Sequence, residues 1–498
     1  MKHAATALLA IFAAFFIFSL LPAAPVPDAE PEVRIGVAQK ITDVKIENSR
    51  PVKLFSSPGV LLNRAEPGTL VIRREIIAGG AAGYRVEVGT YKSYERAEFD
   101  CERIRSAFGF PCALVQPDGW VARLGPYSSP LMAANVWGIL RDIRLFNANV
   151  VEATDARAKI TIETSGGKLL YSGDAPVVLV STARLKLPDG EYRGRLEIAP
   201  DSYGTLSVIN IVGAEDYLRS VLPAEMPPGA APEALKAQAI IARTYLVKNL
   251  RRHAADGFHL CARPDCQVYR GVGAEAPGTD AAVRATRGML LTFGGEPANP
   301  LFHSTCGGRT AAYTHAWDGA EAPYLVSVDD GARTSNLSSD SAFRKFLRSG
   351  AGSCSGSKVF RWSVSKTARE LEGILAGTLP VFTGDPALKP GALKNVRILR
   401  RHASGRIAEL EILTASGAFG FSGDEIRWAL GGLKSTLFTV DRDTDNRGET
   451  VYNFHGAGWG HGVGMCQTGA MRLAAKGWSA KRILARYYPG AQIQTAWR

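Results

Sequence analysis

Three features are missing from this 498-residue sequence, and each absence narrows its reading. No disordered tract interrupts it: the 27 prolines and 52 glycines are frequent but spread out, which argues for many turns rather than one unfolded stretch. The glycine-rich run Gly458 to Gly469 lacks the Gly-x-Gly-x-x-x-x-Gly-Lys pattern, so it is not a nucleotide-phosphate loop. Acidic side chains are in deficit, 47 against 59 Lys and Arg, leaving a net charge of +12. That balance favours a polyanionic partner: nucleic acid, anionic lipid, or a carboxylate- and phosphate-rich wall. What is present is ordinary globular material, 46% hydrophobic and 21% charged, enough for several cores.

The N-terminus narrows the partner. Met1-Lys2-His3 precedes an uncharged, mostly apolar run from Ala4 to Pro27, with small residues at Ala23-Ala24. Residues 1–27 read either as a cleaved secretion signal or as a retained membrane anchor. Both place the chain outside the cytoplasm, exclude nucleic acid as the partner, and limit membrane contact to this segment. Of the seven cysteines, Cys101 with Cys112 and Cys261 with Cys266 are the local candidates for disulfides; Cys306 with Cys354 is a looser one. The odd count leaves at least one thiol unpaired within the chain. His253, His259, Cys261 and Cys266 form the metal-like cluster, at a spacing that matches no common zinc finger. Zinc and a Cys261–Cys266 disulfide both remain open there.

The chain reads as α+β and multi-domain. Residues 32–78 alternate in short bursts between turns, as in Val33 to Val37 and Val44 to Ile46, and form a short β-rich segment. Residues 80–152 form a compact unit: a strand at Tyr84–Tyr91, a helix from Ser93 to Phe108, and strands at 113–115 and 120–124 across a Pro-Asp-Gly turn. Gly125-Pro126-Tyr127 breaks the chain there, and a helix over 131–145 and a last strand near 149–151 follow. The order βαββαβ is a split βαβ, ferredoxin-like sandwich. Strands resume after Ala158, at 159–163, 176–180, 195–198 and 207–211, and 358–440 is mixed.

Chemistry concentrates after residue 213. Glu225 sits between Pro223 and Pro227-Pro228, a carboxylate pinned on a stiff turn. Pro232 and Glu233 open a helix of good helix formers from Ala234 to Val247. Lys236 and Arg243 are seven apart and share one of its faces, with Gln238 rotated away. His303 and Ser304 lie beside Cys306, but no acid at a diagnostic spacing supports a nucleophile-and-base pair. His461 and Gln467 flank the glycine-rich run as candidate hydrogen-bond donors.

Residues 80–152, through Tyr84–Tyr91 and its echo Trp120–Tyr127, resemble a SPOR domain, a module that binds glycan strands stripped of stem peptides. That resemblance implies a sugar-binding sheet face and makes Arg85, Tyr91, Arg123 and Tyr127 candidate contacts, aromatic rings stacking on sugars. Residues 158–498 resemble the stage II sporulation protein D family (SpoIID/LytB), whose members include peptidoglycan lytic transglycosylases and amidase enhancers. Four ordered blocks carry the likeness: 213–248, Cys266 to Gly271, Phe302 to Thr310 with Trp317 and Pro323-Tyr324-Leu325, and Gly458 to Ala470 with Ile483-Leu484 and Tyr487-Tyr488-Pro489-Gly490. The resemblance implies that Glu225 is the catalytic acid, that Lys236 and Arg243 meet substrate carboxylates or sugar oxygens, and that His461 and Gln467 contact glycan. It further implies peptidoglycan strands as partner, a wall amidase as a second partner, and zinc at the His253 cluster in some members. The reaction itself requires no cofactor.

Overall fold

The computed structural model describes residues 26–498, apart from 58, 78–82, 117–118, 143–147, 154–156, 202–203, 320, 332–335 and 384–386. The expected export segment therefore falls almost wholly outside the described residues. Among the described residues no helix is long and apolar enough to cross a membrane.

Five strands open the chain: β1 (Glu32–Ile41), β2 (Asp43–Asn48), β3 (Val52–Ser56), β4 (Leu61–Ala65) and β5 (Gly68–Ile77). In β2 every second residue is buried, the period of a strand with one face on a core. The next unit runs β6 (Gly83–Tyr91), α1 (Tyr94–Phe108), β7 (Cys112–Val115), β8 (Trp120–Tyr127), α2 (Pro130–Asp142) and β9 (Ala148–Ala153), the expected βαββαβ order. Its sheet is antiparallel throughout, in the order β7-β8-β6-β9. Val86, Val88, Ala97, Ile104, Trp120, Leu124 and Leu140 fill the core between sheet and helices. Ser93 caps α1 by accepting from the Arg96 N–H, and Gly109 closes it at φ 67°, a left-handed conformation suited to glycine. A Cys101–Cys112 disulfide joins α1 to β7, as the spacing suggested. The expected break at Gly125-Pro126-Tyr127 is instead a register shift inside β8, which pairs Tyr127 with Tyr84.

The main body resumes with β10 (Arg157–Thr164), β11 (Leu169–Gly173), β12 (Val177–Ser181), β13 (Leu185–Leu187), β14 (Gly190–Tyr192), β15 (Arg195–Pro200) and β16 (Leu206–Gly213). Strand β10 pairs with β5 from Thr164↔Leu70 to Arg157↔Ile77, so the βαββαβ unit is an insertion between two adjacent strands. A six-stranded sheet, β11-β10-β5-β2-β13-β14, and a seven-stranded one built on β1-β16-β15-β12-β3-β4, with Leu260–Cys261 at its edge, share one hydrophobic core.

Strand β16 runs directly into α3 (Ala214–Glu225), and a short loop leads to α4 (Pro232–Lys248), where Pro232 takes the first turn as expected. From Ala234 to Val247 every residue of α4 except Lys236 is buried. A helix apolar or packed on all sides is a central strut rather than a surface element. The expected shared polar face of Lys236 and Arg243 therefore does not exist. The mixed region 361–457 has its own core of Trp362, Leu371, Leu375, Ile412, Phe438 and Phe454. The chain then returns through helices Gln467–Ala475 and Ala480–Tyr487, both packed on α4, to a last strand, Gln492–Thr495, paired with Met289–Phe293.

Candidate active site

Glu225 is the final residue of α3 rather than part of a separate turn. The Met226 N–H donates to the Leu222 carbonyl at 3.0 Å, and the chain then extends into Pro227-Pro228. Its carboxylate Oε1 accepts from the Val268 N–H at 3.2 Å, and its main-chain carbonyl accepts from Gln467 Nε2 at 3.0 Å. Gln467 also lies 3.5 Å from Gln238 Oε1 on α4. Burial raises the Glu225 carboxyl above the usual glutamate range, against the opposing pull of the Val268 and Gln467 donors. Among the described residues no Lys or Arg forms an ion pair with it. The side chain remains only partly covered. Three segments far apart in sequence (the end of α3, the 266–270 loop and the first residue of helix Gln467–Ala475) thus converge on one proton-holding carboxyl. Val268 and Gln238 fall within the family-like blocks, but their roles had no sequence signal, because the first acts through its backbone and the second through contacts made only in three dimensions. The buried Gln238 and Gln267 amides each keep an Nε2 with no hydrogen-bond partner among the described residues.

The other expected site residues are redistributed. Arg243 is fully buried, its Nε and Nη2 donating to the two Glu215 carboxylate oxygens at 2.9 and 2.7 Å. Glu215 also accepts from Gly288 N–H and Trp497 Nε1, both at 3.0 Å, so Arg243 ties α4 to the C-terminus and cannot reach a substrate. Lys236 is partly exposed, but its ammonium donates to Glu233 at 2.7 Å, and Glu233 accepts from the Ala480 N–H at 2.8 Å. It belongs to a helix-end clasp rather than to the carboxyl site. His461 spends both ring nitrogens on its own loop: Nε2–H donates to the Phe302 carbonyl at 2.9 Å and Nδ1 accepts from the Val463 N–H at 3.1 Å. Burial lowers its pKa to about 4, so it is a neutral structural histidine rather than a glycan donor. On the same loop Trp459 stands 50% exposed, an aromatic face that the sequence reading passed over.

On the βαββαβ unit, strand alternation sets Arg85 and Arg123 on the face away from the helices, where Arg123 pairs with Glu87 across β6 and β8. Tyr91 and Tyr127 fall instead on the helix-covered side, because bulges shift the register at both ends of the β6–β8 pair. The Tyr91 hydroxyl bonds to Asp100, and the buried Tyr127 hydroxyl has no partner among the described residues. Neither ring lies on the face away from the helices, the one expected to meet sugar. This unit docks on the main body through Arg252, whose guanidinium lies 3.9 Å from the Tyr94 ring, pairs with Glu95 at 3.3 Å and donates to the Asp265 carbonyl at 3.0 Å. A cavity of roughly 170 Å³ opens at its other margin, lined by Lys92, Arg96, Trp317, Asp318, His402 and Trp428; Glu225 does not line it.

The metal-like cluster contracts to three. His253 and the free thiols of Cys261 and Cys266 place ligand atoms within 4.8 Å of one another. His253 Nδ1 is held by Asp256 at 2.8 Å, while its buried Nε2 has no hydrogen-bond partner among the described residues. A carboxylate on one ring nitrogen and an unspent second nitrogen is the arrangement of a zinc-ligating histidine. His259 lies outside the cluster, its Nδ1 accepting from the Arg34 N–H. The donor set fits zinc with three ligands, not the four expected, and the disulfide between Cys261 and Cys266 is not formed.

Comparison with known proteins gives these positions a context. Residues 202–293, which contain Glu225, match the family described as Stage II sporulation protein, and residues 311–464 match a domain of unknown function, DUF8618. The chain is 28% identical over 373 residues to the amidase enhancer of Bacillus subtilis, covering 65% of this chain and 50% of that protein. It therefore spans about half the length of that relative. It is 29% identical over 298 residues to stage II sporulation protein D of Bacillus subtilis (57% of this chain, 74% of that one). An uncharacterised protein of Brachyspira hyodysenteriae is 29% identical over 306 residues, 61% of this chain and 72% of that one. Residues 202–293 thus match the Stage II sporulation protein family, and the chain is similar to the stage II sporulation D and amidase-enhancer proteins of Bacillus subtilis.

Proposed function

We propose that this protein acts outside the cytoplasm on peptidoglycan, as a lytic transglycosylase that cleaves between N-acetylmuramic acid and N-acetylglucosamine. The observation that carries the reading is Glu225: a single partly covered carboxyl, raised by burial and bordered by amide donors rather than cations. Hydrolytic glycosidases usually flank the bond with two carboxyl groups. A transglycosylase needs one, because the muramic acid's own 6-hydroxyl is the nucleophile and is already tethered. Protonated Glu225 gives its proton to the glycosidic oxygen as the bond to the anomeric carbon breaks. The resulting carboxylate then takes the proton of the 6-hydroxyl as that oxygen bonds to the same carbon, closing a 1,6-anhydro ring and restoring the acid. The exposed Trp459 ring is suited to a sugar face.

The βαββαβ unit would act as a SPOR-like glycan-binding module through the sheet face away from its helices, with Arg85 and Arg123 as contacts, delivering denuded strands to the main body. Zinc at His253, Cys261 and Cys266 would brace the loop that carries Val268, a structural rather than a chemical contribution. The name of the Bacillus subtilis relative favours a second reading, in which the chain binds glycan and stimulates a wall amidase without cleaving. The deciding experiment is mass analysis of sacculi digested by the purified protein and by Glu225→Gln, with and without amidase pretreatment. Anhydro-muropeptides or anhydro-glycans released by the wild type and absent with the variant support cleavage. Release by neither, with amidase stimulation intact in both, leaves the enhancer reading.

A further inference from the structure

A second group of cysteines lies apart from the His253 cluster. Cys306, Cys354 and Cys466 come from three separate segments, yet their sulfurs and a carboxylate oxygen of Asp330 lie within 4.8 Å of one another, all four residues buried. The loosely expected Cys306–Cys354 disulfide is not formed; those sulfurs stand 3.5 Å apart, and Cys306 Sγ is 3.2 Å from Asp330 Oδ2. We propose that Cys306, Cys354, Cys466 and Asp330 bind a zinc-class divalent metal ion in a closed, structural site.

The geometry suits such an ion. Tetrahedral coordination with metal–sulfur bonds of about 2.3 Å spaces neighbouring sulfurs roughly 3.8 Å apart. Backbone donors are aimed at the sulfurs: the Gly308 N–H at Cys306 (3.3 Å), and the Cys306 and Gly469 N–H groups at Cys466 (each 3.2 Å). Cys466 also caps the N-terminus of helix Gln467–Ala475, where the helix dipole favours a thiolate. Asp330 is oriented from behind, its Oδ1 accepting from the Tyr487 hydroxyl at 2.8 Å, which leaves Oδ2 facing the thiols. Supporting contacts of this kind orient metal ligands. Gly469 leaves the space for it: a Cβ there would sit 2.2 Å from Tyr487 Oη and 2.6 Å from Asp330 Oδ2.

A disulfide would use two of the sulfurs and leave a thiol and a buried carboxylate with no counter-charge beyond Arg486, 3.7 Å from Asp330. Metal binding uses all four groups. It expels the three thiol protons to solvent as the metal–sulfur bonds form, with no oxidant required. A soft, thiolate-rich donor set selects zinc over calcium or magnesium. Because Cys466 adjoins Gln467, the ion would also fix the start of the helix whose first side chain holds the Glu225 carbonyl. The site stands or falls independently of the cleavage reading, since its test reads metal and thiols.

The test uses full-length protein carrying Cys261→Ser and Cys266→Ser, so that the His253 cluster contributes nothing. Zinc per chain is measured after dialysis, and cobalt is then exchanged in and its absorption recorded. One zinc ion per chain and intense thiolate-to-cobalt charge-transfer bands are expected, both lost on adding Cys354→Ser. Should that variant fail to fold, alkylation of the double variant supplies the readout: all three thiols protected until a chelator is added. A metal-free double variant, or a Cys306–Cys354 linked peptide from protein exported with zinc present, would overturn the site.

Discussion

Gln467 Nε2 donates to the main-chain carbonyl of Glu225 at 3.0 Å across 242 positions of sequence. The bond satisfies a carbonyl at the end of α3 that no further helical turn can reach, and so fixes where the carboxyl stands. Gln467→Ala should therefore lower the rate of strand cleavage about tenfold, equivalent to ~1.4 kcal/mol of barrier. Strand binding should hardly change, and Gln467→Glu should restore little, since it replaces a donor by an acceptor. Steady-state digestion of amidase-treated strands reads the result; an unchanged kcat would make the bond incidental.

The raised Glu225 carboxyl predicts a pH dependence with a defined sign. Its protonated form is the acid, so cleavage should fall as pH rises through the folded-state pKa, which lies above the ordinary glutamate value. Stability follows the same direction. A carboxyl that binds its proton more tightly when folded contributes most below its unfolded pKa, and that contribution is lost as pH rises through the folded one. Glu225→Gln should accordingly raise Tm at neutral pH, with the gain vanishing in acid. Thermal scans at paired pH values test both halves.

Arg243 and Glu215 predict a loss of stability instead. Breaking a buried ion pair by removing one partner costs about 3–5 kcal/mol, because the other charge is left uncompensated. Arg243→Met should show this in urea unfolding. Lys236→Met, which removes a partly exposed partner of Glu233, should cost less than about 1 kcal/mol. Equal effects would contradict the assignment of the two residues to different environments.

The contrast between these residues also marks how far the sequence could be read. The βαββαβ unit was legible because its evidence is local: alternation in Tyr84–Tyr91, helical spacing over 93–108 and turn residues between strands. Glu225 and the helix beginning at Pro232 were legible for the same reason, aided by the family likeness. The partners were not. A seven-residue spacing says that Lys236 and Arg243 share a direction, but not that Glu215 and Trp497 bury one of them. Tyr91 and Tyr127 misled in another way, since single-residue bulges move a side chain to the opposite face of a sheet. His461 looked available only because the carbonyl of Phe302, 159 residues earlier, is invisible in sequence.

Arg252 carries the prediction for docking of the inserted unit. Its guanidinium stacks on Tyr94 and bonds Glu95 and the Asp265 carbonyl, a desolvated contact worth about 2 kcal/mol or more. Arg252→Ala should speed proteolytic release of a fragment spanning β6 to β9 while the main body keeps its unfolding transition. Release at the wild-type rate would show that other contacts hold the unit in place.

Arg85→Ala with Arg123→Ala tests the sheet face away from the helices. Sedimentation with denuded sacculi should weaken roughly tenfold at unchanged Tm, while cleavage of short soluble strands is unaffected. Loss of both activities together would place these arginines in folding rather than in recognition.

Ile77 and Arg157 are direct neighbours across β5 and β10, and the chain from β6 to β9 leaves and re-enters the ladder at that one rung. The arrangement is a hairpin whose turn has grown into a domain. Because departure and return share a doorway, the graft leaves the surrounding ladder of strands in register. A tight bend at this point, or another cassette in its place, would leave that ladder intact but uncover Arg252 and the surface the unit docks against.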